Sequence, residues 1–351
     1  TMRTQGEDVA EALFLMGLRP EWHPKSGRVI GVEVVPLEEL EFPRVDITYR
    51  TSGFFRDSFP NLMELLDGAA QIAASLNEPP ESNMLRRNVM REVEMLAKQG
   101  LSREDAFREA CFRVYSCAPG TYGAGLPETI DAKAWETSED LGEVWINRGA
   151  HAYGQQVYGA RREENFRRRL KDISLVVKNE DSREYDILSS DDFNAYFGGF
   201  VCAVKTVSGV QPRAYSGDAS DPDRVHNRSI QEESKHIFRS RILNPKWIQG
   251  LMRHGFKGAG DLSRAVDISF HWDSTTGIME DWMYNGLAEK YAFDEKMREW
   301  LKKVNPYALQ NITERLLEAI SRGMWQADQE TKERLESLYL EAEGDIEDAQ
   351  A

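Results

Sequence analysis

Several stretches of this sequence bring together residue types that can bind anions, move protons or hold a metal. The first runs Arg50-Thr51-Ser52-Gly53-Phe54-Phe55-Arg56-Asp57, between an expected strand and an expected helix. Loops at strand carboxyl ends are where α/β proteins place ligands. Arg50 and Arg56 beside the apolar pair Phe54-Phe55 read as a clamp for carboxylates, because a guanidinium binds a carboxylate through two parallel hydrogen bonds. The alternative is an internal Arg56–Asp57 pair that pins the loop. The second stretch is Glu232, three residues after Ser229 at a helix start. It is either half of a capping box or a general base, with Arg239 two turns further along nearly the same face. The third is Asn244-Pro245-Lys246-Trp247, followed seven residues later by His254. That spacing predicts one helical face shared by Trp247 and His254, an indole wall beside a metal ligand or proton acceptor. The alternative is a helix-end histidine bonded to backbone.

Two further motifs carry chemistry by type. Gly120-Thr121-Tyr122-Gly123-Ala124-Gly125 is either an anion cradle of backbone N–H groups or a tight loop that uses glycine for positive φ. His271 has Asp273 within reach to fix its tautomer, or else sits in a helix end leading to a Ser/Thr turn. His23 and His151 stand isolated and suggest no role. The sequence has no GxxxxGK[ST] phosphate loop, no GxGxxG, no HExxH and no GxSxG. A Walker-type ATP site is therefore excluded.

The elements that must position these residues follow from periodicity. Helices are expected over 8–16, 61–76, 85–99, 102–115, 135–148, 161–171 and 191–207, and strands over 28–35, 44–49 and 174–178. Residues 211–227 read as a polar loop, and almost everything after Ser229 as helix. The expected class is an α-rich α+β fold, with strands mainly in the N-terminal half and a mostly helical C-terminal half. The division expected is a 1–160 α/β lobe, a 161–325 mainly helical lobe and a 326–351 acidic tail.

Composition bounds the partners. The 351 residues are 41% hydrophobic and 29% charged, which are globular values. Lys+Arg is 44 against 59 Asp+Glu, a net charge of −15 that argues against sequence-independent nucleic-acid binding. Nine acids against Lys332 and Arg334 after residue 325 supply −7 of it. No apolar run is long enough to cross a membrane, and no secretory signal opens the chain. Cys111, Cys117 and Cys202 form no CxxC, so a reducing cytoplasm is expected. Thr1 before Met2 suggests either a cloning remnant or a cut inside a longer chain.

Taken in order, MRTQGEDVAEALFLMGLRPEW, PRVDITYRTSGFFRDSFPN, PGTYGAGL, HAYG, SREYDILSSDDF with FGG, LNPKWIQGLMRHGFKGA, STTG and LLEAISRGMW resemble one family over about residues 2–326. They look like the C-terminal third of the large subunit of the aerobic-type cobaltochelatase, with the magnesium-chelatase H subunit a more distant match. The resemblance implies insertion of a divalent metal, Co2+ or less readily Mg2+ or Ni2+, into a tetrapyrrole such as hydrogenobyrinic acid diamide. It implies ATP hydrolysis by separate AAA+ ATPase subunits and a tetrapyrrole cavity completed by the remainder of the large subunit. Metallation strips water from the ion and removes two pyrrole protons, so it needs a slot, a base, ligands and cations for peripheral carboxylates. Under this resemblance Phe54, Phe55 and Trp247 are slot walls, and Arg50, Arg56, Asp57, Tyr122, Arg239, Arg241 and Lys246 complete the substrate-binding set. His254 and Glu232 are the catalytic candidates, and His254 and Asp192 the metal ligands. The competing reading is a non-catalytic scaffold lobe that docks the ATPase subunits through the basic 161–171 helix and the acidic tail.

Overall fold

The structure is a computed structural model that describes residues 4–350 apart from residue 222. It opens with α1 (Glu7–Leu15) and a hairpin of β1 (Leu18–Trp22) and β2 (Val29–Val34). The strand expected over 44–49 shrinks to β3 (Tyr49–Arg50). Its first residue, Arg44, is drawn away into the protein, where its guanidinium binds Glu78 and the carbonyls of Met16, Gly17 and Val35. Helices α2 (Gly53–Ser58), α3 (Pro60–Ser75), α4 (Met84–Lys98) and α5 (Arg103–Cys111) then lead to β4 (Val114–Ser116). Side chains that the sequence advertises set their starts. Ser52 accepts from the Phe55 N–H, Pro60 opens α3, and Ser102 accepts from the Asp105 N–H. Alanine, valine and leucine faces of α1, α3, α4 and α5 bury a small apolar cluster.

β3 and β4 pair in parallel, so their carboxyl ends and the loops that follow lie on one side. After α6 (Leu126–Asp131) and α7 (Ser138–Gly149), β5 (His151–Gly154) and β6 (Val157–Arg161) extend the sheet antiparallel, giving the order β3-β4-β5-β6. A second sheet follows α8 (Glu163–Asp172): β7 (Leu175–Glu180) runs parallel to β8 (Arg213–Asp218), which pairs antiparallel with β9 (His226–Ser229). β8 and the first half of β9 occupy the stretch expected to be a polar loop. Small residues, Ala214, Ser216 and Gly217, form the buried positions of β8, so it carries none of the large apolar alternation by which strands are recognised.

Between β7 and β8 come a short α9 (Asp191–Phe193), a π-helical turn (Asn194–Gly198) and α10 (Gly199–Ser208). Beyond β9 the chain is helical: α11 (Ile230–Ile237), α12 (Pro245–Met252), α13 (Gly255–Thr276), α14 (Asp281–Leu287), α15 (Glu295–Val304), α16 (Pro306–Ser321) and α17 (Gln329–Gln350). Two more π turns, Phe238–Ile242 and Ala288–Phe293, extend α11 and α14. Helix makes up 60% and strand 13%, which is the α-rich α+β class. One apolar cluster reaches from Phe112 to Ala342 and so joins residues on both sides of residue 160. The acidic C-terminal stretch is helix α17. Leu335, Leu338, Ala342 and Ile346 are buried at helical spacing, and its acids include Glu341 and Asp345, both paired with Lys302. Each buried leucine there contributes on the order of 2 kcal/mol.

Candidate functional site

Four of the sequence motifs meet at the carboxyl ends of β3 and β4. The loop after β3 leads into α2, and the glycine-rich loop after β4 lies directly upon it. A Cβ at Gly53 would stand 2.8 Å from the Thr121 carbonyl, so only glycine allows this approach. Arg56, 1% exposed, stitches the two loops together. Its Nε and Nη2 hold both oxygens of Asp57 at 2.6 and 2.8 Å. Its Nη1 reaches the carbonyls of Cys117 and Ala118 at 3.1 and 2.9 Å. Asp57 also accepts from the Tyr122 hydroxyl at 2.6 Å. The bonds from Arg56 and Tyr122 hold the Asp57 carboxyl down at about 2. Of the two readings open for Arg56, this is the internal pin, with every guanidinium nitrogen engaged inside the chain. The aromatic residues of the two loops divide. Phe55 packs on Phe59, while Phe54 is 59% exposed and Tyr122 57% exposed.

Arg50, six residues earlier, is in the opposite condition. Its guanidinium carbon lies 5.3 Å from the centre of the Trp145 ring and 5.5 Å from that of Tyr196. Nη1 donates to the Thr51 carbonyl, but the buried Nε and Nη2 have no partner among the described residues. Burial works against the charge, lowering the Arg50 pKa. Gly149 makes room, since a Cβ there would be 2.6 Å from Nε. Trp145 and Gly149 come from the last turns of α7, and Tyr196 from the π-helical turn. Such turns are frequent at functional sites. Tyr196 accepts from the Gly123 N–H of the glycine-rich loop, and burial raises its pKa. Asp192, one turn earlier, is within electrostatic reach of Tyr196 and is itself raised by burial and by Asp191. His151, the first residue of HAYG, has an unpartnered buried Nδ1. Burial and the charges of Arg161 and Arg50 lower its pKa, favouring neutral imidazole.

The remaining candidates lie elsewhere, in two groups. Glu232 and Arg239 line one open depression with Arg228, Lys235 and His236. Glu232 is tied into a capping box with Ser229, whose bonds lower its pKa and weaken it as a base. Arg239 lies over Trp282. Arg241 binds Asp186 at 2.6 Å and covers the Trp247 ring at 5.4 Å, and Lys246 is exposed at the start of α12. The face expected to join Trp247 to His254 does not form. α12 ends at Met252, and the chain turns so tightly that a Cβ on Gly258 would lie 1.9 Å from the Leu251 carbonyl. His254 therefore stands exposed at the start of α13, while Trp247 packs half-buried on the core. His271 likewise turns away from Asp273 and meets Asp131 at 3.1 Å. Asp273 accepts instead from Met279 N–H and Tyr284 hydroxyl, and burial pushes it up to about 6. The donor atoms of Asp131, Asp267 and His271 lie within 4.8 Å of one another, but Arg315 already binds both carboxylates and Glu318.

The family model described as CobN/Magnesium Chelatase matches residues 1–332. The chain belongs to the CobN/magnesium-chelatase family. The aerobic cobaltochelatase subunit CobN of Pseudomonas aeruginosa is 43% identical over 98% of this chain and 28% of its own length. The magnesium-chelatase H subunit of Chlorobaculum parvum is 34% identical over 99% of this chain and 27% of its length. The solved catalytic subunit of cobaltochelatase from Mycobacterium tuberculosis superposes with a TM-score of 0.92 at 41% identity, over 96% of this chain and 28% of that one. The chain thus spans about 28% of the length of its CobN relatives. The similarity extends past residue 326, into the acidic α17 that the family-like motifs do not reach.

Within this CobN-like fold, Trp145, Gly149, His151 and Tyr196 are the residues that sequence reasoning did not assign. HAYG and FGG are among the family-like motifs, and His151 and Tyr196 lie in or next to them. That adjacency is the available signal. Trp145 offers none, because an indole on an amphipathic helix reads as core.

Proposed function

We propose that this chain is part of the large, tetrapyrrole-binding subunit of an ATP-dependent metal chelatase, inserting Co2+ into a macrocycle of the hydrogenobyrinic acid diamide type. Mg2+ and Ni2+ are the alternatives. The observation that carries the reading is the convergence of the TYRTSGFFRD, PGTYGAG, HAYG and NAYFGG segments on one edge of the β3–β6 sheet, in a chain of this family. Cobalt is favoured over magnesium by the identities, 43% against 34%. The exposed rings of Phe54 and Tyr122 offer an apolar surface for a flat macrocycle, and pinned Arg56 keeps their loops in place. Asp192, beside Tyr196, is the metal-handling candidate nearest this edge. His254 and the Glu232–Arg239 depression face solvent elsewhere and would act only where another part of the subunit brings substrate to them. ATP enters through AAA+ partner subunits, as the family resemblance implies, and this chain itself has no phosphate-binding loop.

Visible-absorption titration tests this. Hydrogenobyrinic acid diamide or a porphyrin should give a saturable spectral shift with the chain or with the full large subunit. Metallation with the full subunit set should then proceed with Co2+. Capture of ATPase subunits without any spectral shift, in the full subunit as well, would overturn the reading in favour of a scaffold lobe.

A further inference from the structure

Five arginines are buried among the described residues, and each has a carboxylate partner. Arg44 binds Glu78, Arg56 binds Asp57, Arg113 binds Asp46, Arg169 binds Glu92, and Arg315 binds Asp267 and Asp131. That is the expected pattern, because an uncompensated buried charge is costly. Arg50 breaks it. It holds no carboxylate among the described residues, and two of its buried nitrogens hold nothing. One carbonyl and two ring faces are its whole compensation. Cation–π contacts of this kind offset only part of the cost of a covered charge and do not replace an ion pair.

We propose that Arg50 is the receptor for a carboxylate that this chain does not itself contain. The guanidinium lies over both the Trp145 and Tyr196 rings and against the side-chain-free Gly149, which leaves its planar fork as the recognition element. A planar fork matches a carboxylate in a way that lysine cannot. The residue as a whole is only partly buried, although Nε and Nη2 are covered. The carboxylate has two sources of the same chemistry: a peripheral acid group of the macrocycle, which rests on the function proposed above, or an Asp or Glu side chain from the rest of the large subunit.

The test uses Arg50→Met, which keeps bulk and removes charge, and Arg50→Lys, each in this chain and in the full-length large subunit. The probes are a porphyrin with free propionates and the same porphyrin as its methyl ester, both in dilute detergent. If the substrate supplies the carboxylate, wild type prefers the acid at least tenfold. Arg50→Met then loses that preference, and Arg50→Lys keeps only part of it. The Arg50→Met chain should also melt no lower than wild type, because it no longer buries a lone charge. If the rest of the subunit supplies it, acid and ester bind alike, while Arg50→Met lowers the melting temperature of the full-length subunit but not of this chain. Porphyrin that fails to bind in any form defeats the tetrapyrrole reading, and the full-length melting arm still decides Arg50. Arg50→Met with unchanged acid preference and unchanged full-length melting overturns the proposal.

Discussion

Replacing Arg56 by lysine separates a structural pin from a ligand clamp. Lysine keeps the charge but offers one nitrogen where arginine uses three. It cannot hold both Asp57 oxygens and also reach the carbonyls of Cys117 and Ala118. The carbonyls keep other partners, since Cys117 accepts from the Tyr153 hydroxyl and Ala118 from Thr121. Asp57 is partly exposed and regains water. The loss is therefore about two charge-assisted bonds, each ~1.5–3 kcal/mol before screening by water at the exposed Asp57, and roughly 2–4 kcal/mol in all after it. An unfolding entropy of about 2.1 cal/mol/K per residue gives roughly 0.7 kcal/mol/K for a chain of 351 residues. The expected fall in melting temperature is then ~3–6 °C. Circular dichroism melts measure it, and tetrapyrrole titration well below the transition measures binding. Arg56→Lys should melt lower and bind nearly as wild type. Because Asp57 is held down at about 2, the pair's contribution is complete above the ordinary aspartate value of ~3.9 and disappears as pH falls through about 2. An unchanged melting temperature with a tenfold loss of affinity would refute the pin.

Three further outcomes follow from other sites. Burial raises the Glu180 pKa to about 7, so the folded state holds a proton that the unfolded chain releases near ~4.3. Its contribution to stability is full below that lower value and declines as pH rises to about 7. In urea titrations from pH 5 to 8, Glu180→Gln, which keeps the bond from Ser216, should gain on wild type as pH rises; a pH-independent difference would rule this out. Gly258→Ala places a Cβ against the Leu251 carbonyl and should destabilise by about 1–3 kcal/mol or more, whereas Gly260→Ala meets nothing and should stabilise by up to ~1 kcal/mol. Equal effects at the two positions, read from chemical denaturation, would contradict the tight α12–α13 corner. His254→Ala should change stability by less than ~0.5 kcal/mol, because the ring is exposed at a turn. A metallation assay with the full subunit set then reports on chemistry alone, and unaltered insertion removes His254 from the mechanism.

The helices were legible because their signals are local. The Ser102 cap, the Ser229–Glu232 box and Pro60 are read within four residues of the turn they control. β8 was not legible, since Ala214, Ser216 and Gly217 bury a strand without looking like one. The seven-residue spacing of Trp247 and His254 was correct helical arithmetic applied across a break, where Gly255 takes a positive φ and glycine at 258 permits the close approach to Leu251. At the site, the two loops were legible and their partnership was not. Nothing in the sequence tells that Arg56 is satisfied and Arg50 is not. That distinction depends on Gly149, Trp145 and Tyr196, which are far along the chain and reach Arg50 only through the tertiary fold.

The surroundings of Arg50 also bear on how the protein reaches its native state. They are drawn from β3, the end of α7 and the π-helical turn before α10, with the glycine-rich loop bonded to Tyr196. None of these contacts is local, so each needs the closure of a long loop before it returns any energy. These contacts are therefore expected to form late in folding, after the local helices. Trp145 stands at their centre, in contact with the guanidinium. The sequence holds eight tryptophans, so a variant that keeps Trp145 alone is what reports closure around Arg50 by its fluorescence, without any added ligand.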